Sequence, residues 1–316
     1  MTQGKPDSIP NSRKVWTTLI TNTKYLSGLL TLEYALRKVG SKYPLLVLYT
    51  ETFEQEGHEA LDNRGIHKKR IEYLLPKAHK DYQNDVRFYD CWSKLQPFSL
   101  FEFDRVVQLD SDMVVVQNMD ELMDLQLNDE TAVFAASHAC VCNPYNKAHY
   151  PSNWHKENCA YTSYKPIALE DKTQAHHNHV VGPSSKTGLG ICNGGLQVVN
   201  PSPKNYNKIV NALENPSLTS SYDFADQSLL SDVFEGRWLP LSYKYNALKT
   251  LRTIHRDIWS DDEVKNVHYI ITPKPWDVRS LPDRDSHDDT GTFHFWFKLD
   301  DARLADEKSA GIYDGF

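Results

Sequence analysis

No stretch of this chain is apolar for the length that a membrane-spanning helix needs. An excess of basic residues is missing as well: 35 Lys and Arg stand against 42 Asp and Glu, a formal charge of −7. A phosphate-backbone partner calls for a basic face, so nucleic acid is not an expected partner, although a local basic pocket for a small phosphate ligand fits the balance. Cysteine is sparse and odd in number, with five in 316 residues at 91, 140, 142, 159 and 192. An odd count argues against a disulfide framework, and Met1–Arg13 is polar, with no apolar run to serve as a secretory signal. The expected compartment is the cytoplasm, with reduced thiols. Internal repeats and low-complexity tracts are also missing. What the chain does have is 40% hydrophobic and 11% aromatic residues, the composition of a folded core rather than of disorder.

Its order along the chain predicts a mostly parallel, doubly wound α/β sheet. Val15–Thr21 is rich in β-branched residues and reads as a strand, and Asn22 and Thr23 can cap a helix over Lys24–Val39 that stops at Gly40. Leu45–Thr50 reads as a strand buried on both faces, followed by a helix over Glu54–Arg64 and a strand around Lys69–Leu75. Residues 76–90 read as loop and Cys91–Phe103 as a helix weakened by Pro97. Arg105–Leu109 is a hydrophobic strand running into Asp110-Ser111-Asp112, with a second apolar run behind it. Side chains alternate along a strand, so Asp110 and Asp112 are expected to project together from its end. Two carboxylates on one side suit Mg²⁺ or Mn²⁺, which keep open positions for phosphate oxygens; a solvated turn is the plain alternative. Further strands are expected at Thr131–Ala136, Ile191–Asn200 and Val264–Ile271, and helices from Pro203 to Glu214 and from Asp223 to Phe234. Residues 138–189 lack periodicity, as functional loops do. The polar stretch Asp277–Thr292 reads as a linker into a C-terminal tail. The domain reading is a polar tail at 1–13, one domain over 14–277 with an irregular insert at 138–190, and a C-terminal extension at 278–316.

Several residues carry two readings on local grounds. Gly194-Gly195 inside a strand marks either a close backbone approach or tight sheet packing. Asp226-Gln227 sits where a helix start favours an acidic residue anyway. His268 follows an apolar residue, as a core histidine would, and Lys274 stands between two prolines that hold it on a rigid turn. Lys94 is equally open. His176, His177 and His179 suggest zinc but lack a second ligand pair at ordinary spacing, and Cys140, Cys142 and Cys159 match no standard zinc motif. Free thiols are the expectation there.

Taken in order, the motifs carry more than each does singly. Thr18-Leu19-Ile20-Thr21-Asn22 with Tyr25, Ser93-Lys94-Leu95, Leu109-Asp110-Ser111-Asp112, Asn118-Met119-Asp120-Glu121-Leu122, Asn193-Gly194-Gly195, Asp226-Gln227, and Val267-His268 through Lys274-Pro275-Trp276 resemble the glycogenin/galactinol synthase family of retaining glycosyltransferases. The resemblance covers about residues 14–277 and is nearer the galactinol synthase side, where Cys140-Val141-Cys142, Trp154 and Cys159 are similar to a cysteine-bearing segment. It implies the GT-A fold, a Rossmann-like, mostly parallel sheet flanked by helices, with 138–190 on the acceptor side. It implies a hexosyltransferase that uses Mn²⁺ (or Mg²⁺) and moves galactose or glucose from a UDP-sugar to a polyol or glycan hydroxyl. Asp110, Asp112 and His268 would then hold the metal, and Lys94 and Lys274 the diphosphate. Leu19, Thr21, Asn22, Tyr25 and Ser111 would line the nucleotide's side, and Asn193, Gly194, Asp226 and Gln227 would face the sugar. The family often has glycine between this histidine and lysine, where the chain has Ile270-Ile271-Thr272-Pro273, and its asparagine loop is usually Asn-Ser-Gly or Asn-Ala-Gly. The Asp110 strand also fits the nucleophile strand of haloacid-dehalogenase-like phosphatases, but there it opens the core, whereas three strands precede it here. A non-catalytic protein that binds the sugar nucleotide is the remaining alternative, and a homodimer the default assembly.

Overall fold

A computed structural model describes residues 6–83, 87–164 and 180–316. The histidines at 176, 177 and 179 lie outside them. Lys14–Ile20 (β1) is flanked on one side by Leu45–Tyr49 (β2) and His67–Arg70 (β3), and on the other by Arg105–Leu109 (β4), all parallel. Leu26–Lys38 (α1) and Gln55–Asn63 (α2) make the crossovers. Beyond β4 the sheet reverses direction: Leu196–Val199 (β7) runs antiparallel to both β4 and Phe134–Ser137 (β6), and Leu239–Leu241 (β8) closes the order β3-β2-β1-β4-β7-β6-β8. A second sheet of three short strands is built from Met113–Val115 (β5), Asn266–His268 (β10) and Ala247–Leu248 (β9).

Continuous burial along β1, β2 and β4 follows from helices covering both faces, which is why these strands carry apolar runs rather than alternation. Two polar exceptions pair with each other: Thr17 Oγ1 donates to Gln108 Oε1 across β1 and β4 at 2.7 Å. Of the helices behind β7, Pro203–Leu213 starts on Ser202, whose hydroxyl accepts from the Asn205 N–H, with proline in the first turn as the sequence predicts. Ala225–Val233 carries Asp226 and Gln227 in its first turn.

Four sequence expectations are corrected. The helix expected at Cys91–Phe103 is instead a short α-helix, Arg87–Cys91, continued as a 3-10 helix over Trp92–Ser99. Pro97 lies inside it and can donate no backbone hydrogen bond. The third strand lies at His67–Arg70, before the expected position, because its partner β2 is in register from Leu46↔His67. Gly194-Gly195 lie before their strand, which begins at Leu196. The expected C-terminal tail is a 17-residue helix, Phe293–Ser309, that buries Phe293, Trp296 and Phe297. Thr31 of α1 donates to Asp300 of that helix at 2.8 Å, and Arg303 grips the same carboxylate. At the other end Asp7 accepts from the Arg70 N–H and from Tyr49, which pins the N-terminal segment along the β3 edge.

Candidate active site

Register explains how residues far apart in sequence meet. β4 ends at Leu109, opposite Leu196, so the Asp110 N–H donates to the Gly195 carbonyl at 2.8 Å. β10 pairs with β5 with His268 opposite Met113, and the Tyr269 N–H donates to the Asp112 carbonyl at 2.9 Å. Asp110-Ser111-Asp112 thus joins the two sheets. Its carboxylates do converge, but through a turn, closed by the Met113 N–H on the Asp110 carbonyl at 3.1 Å, and not through strand alternation. His268 Nε2 lies 3.2 Å from Asp112 Oδ1 and 3.6 Å from Asp110 Oδ2.

A chain of amides orients that imidazole. Asn246 Nδ2 donates to Asn193 Oδ1 at 2.8 Å, which leaves Asn246 Oδ1 to accept from His268 Nδ1 at 2.8 Å. With Nδ1 engaged by Asn246, Nε2 is aimed at the two carboxylates, the position from which all three could share a divalent cation. The three ligand atoms lie within 4.8 Å of one another, so this donor set of two oxygens and one imidazole fits Mn²⁺ or Mg²⁺. Asn193 Oδ1 also accepts from the Gly195 N–H, and Asn193 Nδ2 donates to Gln227 Oε1. The glycines are required by close approach: a Cβ at Gly194 would stand 2.2 Å from Asp226 Oδ2, and one at Gly195 2.4 Å from His268 Cε1.

Two lysines face the carboxylates. Lys94 Nζ reaches Asp110 at 2.8 Å, and Lys274 Nζ reaches Asp112 and the Tyr269 carbonyl, each at 2.5 Å. Burial works against the Lys94 charge, but Asp110 outweighs it and holds the ammonium pKa well above its ordinary value. Burial would raise the Asp112 carboxyl; Lys274 and His268 outweigh it and hold that group well below the carboxylate range. Asp226 is the contrasting case. Burial pushes it up to about 6, with Lys94 pulling down and Asp110 adding to the rise.

All these groups line one cleft, together with Leu19, Thr21, Asn22, Tyr25 and Ser111. Asn22 Oδ1 accepts from the Lys24 N–H, and Tyr25 meets Trp276 edge-on and lies under Lys274 Nζ. Ile271 also lines the cleft, at φ +63°, so the glycine-like backbone between His268 and Lys274 is kept by a β-branched residue.

Sequence reasoning missed several residues in and behind the cleft wall. Asp90 accepts from Thr21 and from Tyr73 at 2.8 Å each, and Asn246 carries no motif that could have announced it. Trp154 stacks on Phe224 at 4.4 Å with Tyr150 edge-on to both, an aromatic wall near Asp226.

The model of glycosyl transferase family 8 matches residues 17–279. Galactinol synthase 7 of Arabidopsis thaliana is 28% identical over 274 residues, which span 85% of this chain and 76% of that protein. Galactosyltransferase LgtC, solved with donor and acceptor sugar analogues, aligns with a TM-score of 0.58 at 15% identity over 91% of this chain and 96% of its own. The bifunctional glycosyltransferase WbbM gives 0.60 at 15% identity over 93% of this chain. This chain spans only half of WbbM's length, and at such identities the two structures speak for the fold alone. Among the described residues no helix is long and apolar enough to cross a membrane. On the family match and the shared GT-A architecture, the chain belongs to glycosyl transferase family 8, the retaining nucleotide-sugar-dependent hexosyltransferases, and is a distant homologue of the galactinol synthases.

Proposed function

We propose that this cleft transfers a hexose, galactose or glucose, from a UDP-sugar to a hydroxyl of a polyol or glycan, with Mn²⁺ (or Mg²⁺) held by Asp110, Asp112 and His268. One observation carries the reading: two carboxylates and an oriented imidazole share a cleft with the buried Lys274, the part-buried Lys94, and Asn193, Asp226 and Gln227. The cation, when bound, supplies positive charge against the leaving diphosphate. Lys94 and Lys274 present fixed positive charge to the same oxygens from positions set by their own ion pairs. Leu19, Thr21, Asn22 and Tyr25 bind the nucleoside, and Ser111 lies at the diphosphate. Asn193 and Gln227, tied to each other and to the Gly194 backbone, form a rigid shelf under the sugar.

Transfer breaks the bond between the anomeric carbon and the diphosphate oxygen and makes one to the acceptor oxygen. The acceptor's proton ends on the departing diphosphate. Asp226 faces this oxocarbenium-like change with a carboxylate that is ionised above about pH 6. The galactinol synthase relatives support a polyol acceptor, and the aromatic wall of Trp154 and Phe224 suits the C–H face of a ring.

The test is UDP release from UDP-galactose and UDP-glucose, with and without Mn²⁺, first with water and then with inositol or a glucan as acceptor. Metal-dependent release that disappears in Asp112→Asn supports the reading. Release that persists with chelator, or in Asp112→Asn, sinks the metal assignment. Phosphate release in place of UDP would favour the phosphatase alternative, and Mn²⁺-dependent UDP binding without turnover the non-catalytic one.

A further inference from the structure

Among the described residues, a second cluster besides Asp110, Asp112 and His268 brings metal-binding groups within reach of a single ion: Cys140, Cys142, Cys159 and His255. The cysteine spacing alone suggested no metal site. The fourth member lies 96 residues beyond Cys159, so no local motif could have included it. Cys140 and Cys142 are on the segment that leaves β6, and Cys159 follows the helical turn Lys156–Asn158. His255 follows the turn Leu251–Ile254, just after β9.

We propose that these four side chains form a structural Zn²⁺ site that clamps the irregular segment 139–164 onto the body of the enzyme. All four ligand atoms lie within 4.8 Å of one another. Cys142 Sγ and Cys159 Sγ stand 3.2 and 3.6 Å from His255 Nε2, and Cys159 Sγ stands 4.0 Å from Cys140 Sγ. With Zn–S near 2.3 Å and Zn–N near 2.0–2.1 Å, a tetrahedral ion separates its sulfurs by about 3.8 Å and sulfur from nitrogen by about 3.6 Å. The cluster is already close to those edges. Four protein ligands would leave no open position, which marks a structural rather than a catalytic zinc. Soft thiolates select zinc over the Mn²⁺ or Mg²⁺ of an oxygen-rich site.

Disulfide pairing accounts for the cluster less well. The Cys140 and Cys159 sulfurs are about 2 Å farther apart than an S–S bond, and pairing two of three thiols leaves the third and the histidine unexplained. The segment also needs an anchor. It holds only turns and one short 3-10 helix between residues 139 and 164, yet it carries Tyr150 and Trp154 into the cleft. The His255 end, by contrast, continues from β9, which pairs with the strand bearing His268. Zinc binding would join these two parts and release the thiol protons to solvent.

The experiment measures zinc by mass spectrometry in protein purified without chelator and dialysed against zinc-free buffer, on an Asp112→Asn background so that metal in the active cleft does not count. About one zinc per chain is expected. It should be lost in Cys159→Ser and in His255→Ala and kept in Cys91→Ser and Cys192→Ser. Should those variants fail to fold, the Asp112→Asn protein with its cysteines and His255 intact still decides. Titration with a mercurial thiol reagent should release one zinc as three cysteines react, and Co²⁺ substitution should give tetrahedral bands with sulfur-to-metal charge transfer. Zinc far below one per chain after incubation with Zn²⁺, or three free thiols rather than five in the denatured protein, overturns the proposal.

Discussion

Gly195 lies against the imidazole of His268 so closely that a Cβ on it would stand 2.4 Å from Cε1 and 2.9 Å from Nδ1. That ring cannot swing away freely, because Asn246 holds one nitrogen and the two carboxylates face the other. Gly195→Ala should displace the ring by a few tenths of an ångström or more and spoil its aim at the carboxylates. The Mn²⁺ concentration for half-maximal UDP release should rise at least about tenfold, with UDP-sugar KM at saturating Mn²⁺ changed much less. An unaltered Mn²⁺ titration would remove His268 from the metal site.

Asp226 should show the opposite signs of function and stability. Its carboxyl is pushed up to about 6 in the fold, chiefly by burial, from an ordinary value of 3.8. Between those values the folded chain holds a proton that the unfolded chain has lost, so this group's contribution to stability falls as pH rises through the window. The full cost, roughly 3 kcal/mol, is in place at neutral pH. Asp226→Asn should cut turnover at least about 100-fold and yet raise the melting temperature at pH 7.5, with the gain vanishing near pH 4. Thermal melts of both proteins across pH 4–8 check it, and a variant less stable than the parent at pH 7.5 would refute the burial argument.

Lys274 pairs with the carboxylate of Asp112, which the proposed divalent cation would share. Removing the ammonium leaves the buried Asp112 without its strongest partner, a change that costs about 3–5 kcal/mol in comparable buried pairs. Lys274→Ala should melt well below the parent in chelator and recover much of the difference when Mn²⁺ is added. Its UDP affinity should fall at least about tenfold even with saturating metal. Calorimetric UDP titrations separate the two effects; normal UDP affinity would mean that Lys274 serves only Asp112.

How far these residues could be read in advance depends on how local their signals are. Asp110-Ser111-Asp112 and Asn193-Gly194-Gly195 are continuous and stand beside apolar strands, so their type and order betray them. The geometry that unites them does not, because it comes from strand register: β7 antiparallel to β4, and β10 antiparallel to β5. Asn246 and His255 escape notice for the same reason, each acting on partners distant in sequence and having no motif of its own. The C-terminal helix was legible in principle, since Phe293, Trp296, Phe297 and Asp300 fall at helical spacing. The polar stretch before it made the whole region look like a tail.

The aromatic wall gives the last prediction. Trp154 stacks on Phe224 at an interplanar angle of 18°, and Phe224 lies two residues before Asp226, so the wall stands beside the proposed sugar end of the cleft rather than the proposed nucleotide end. A stacked indole offers a flat apolar face to the C–H side of a ring acceptor without touching the donor's diphosphate. Trp154→Ala should raise the acceptor KM about tenfold or more while UDP-sugar hydrolysis in the absence of acceptor keeps its kcat/KM. Trp154→Phe, which preserves a ring against Phe224, should restore most of the acceptor affinity. The split between the two assays is what matters, because general loosening of the buried Trp154 site would lower both together. Loss of donor hydrolysis in step with acceptor transfer would place the acceptor elsewhere in the cleft.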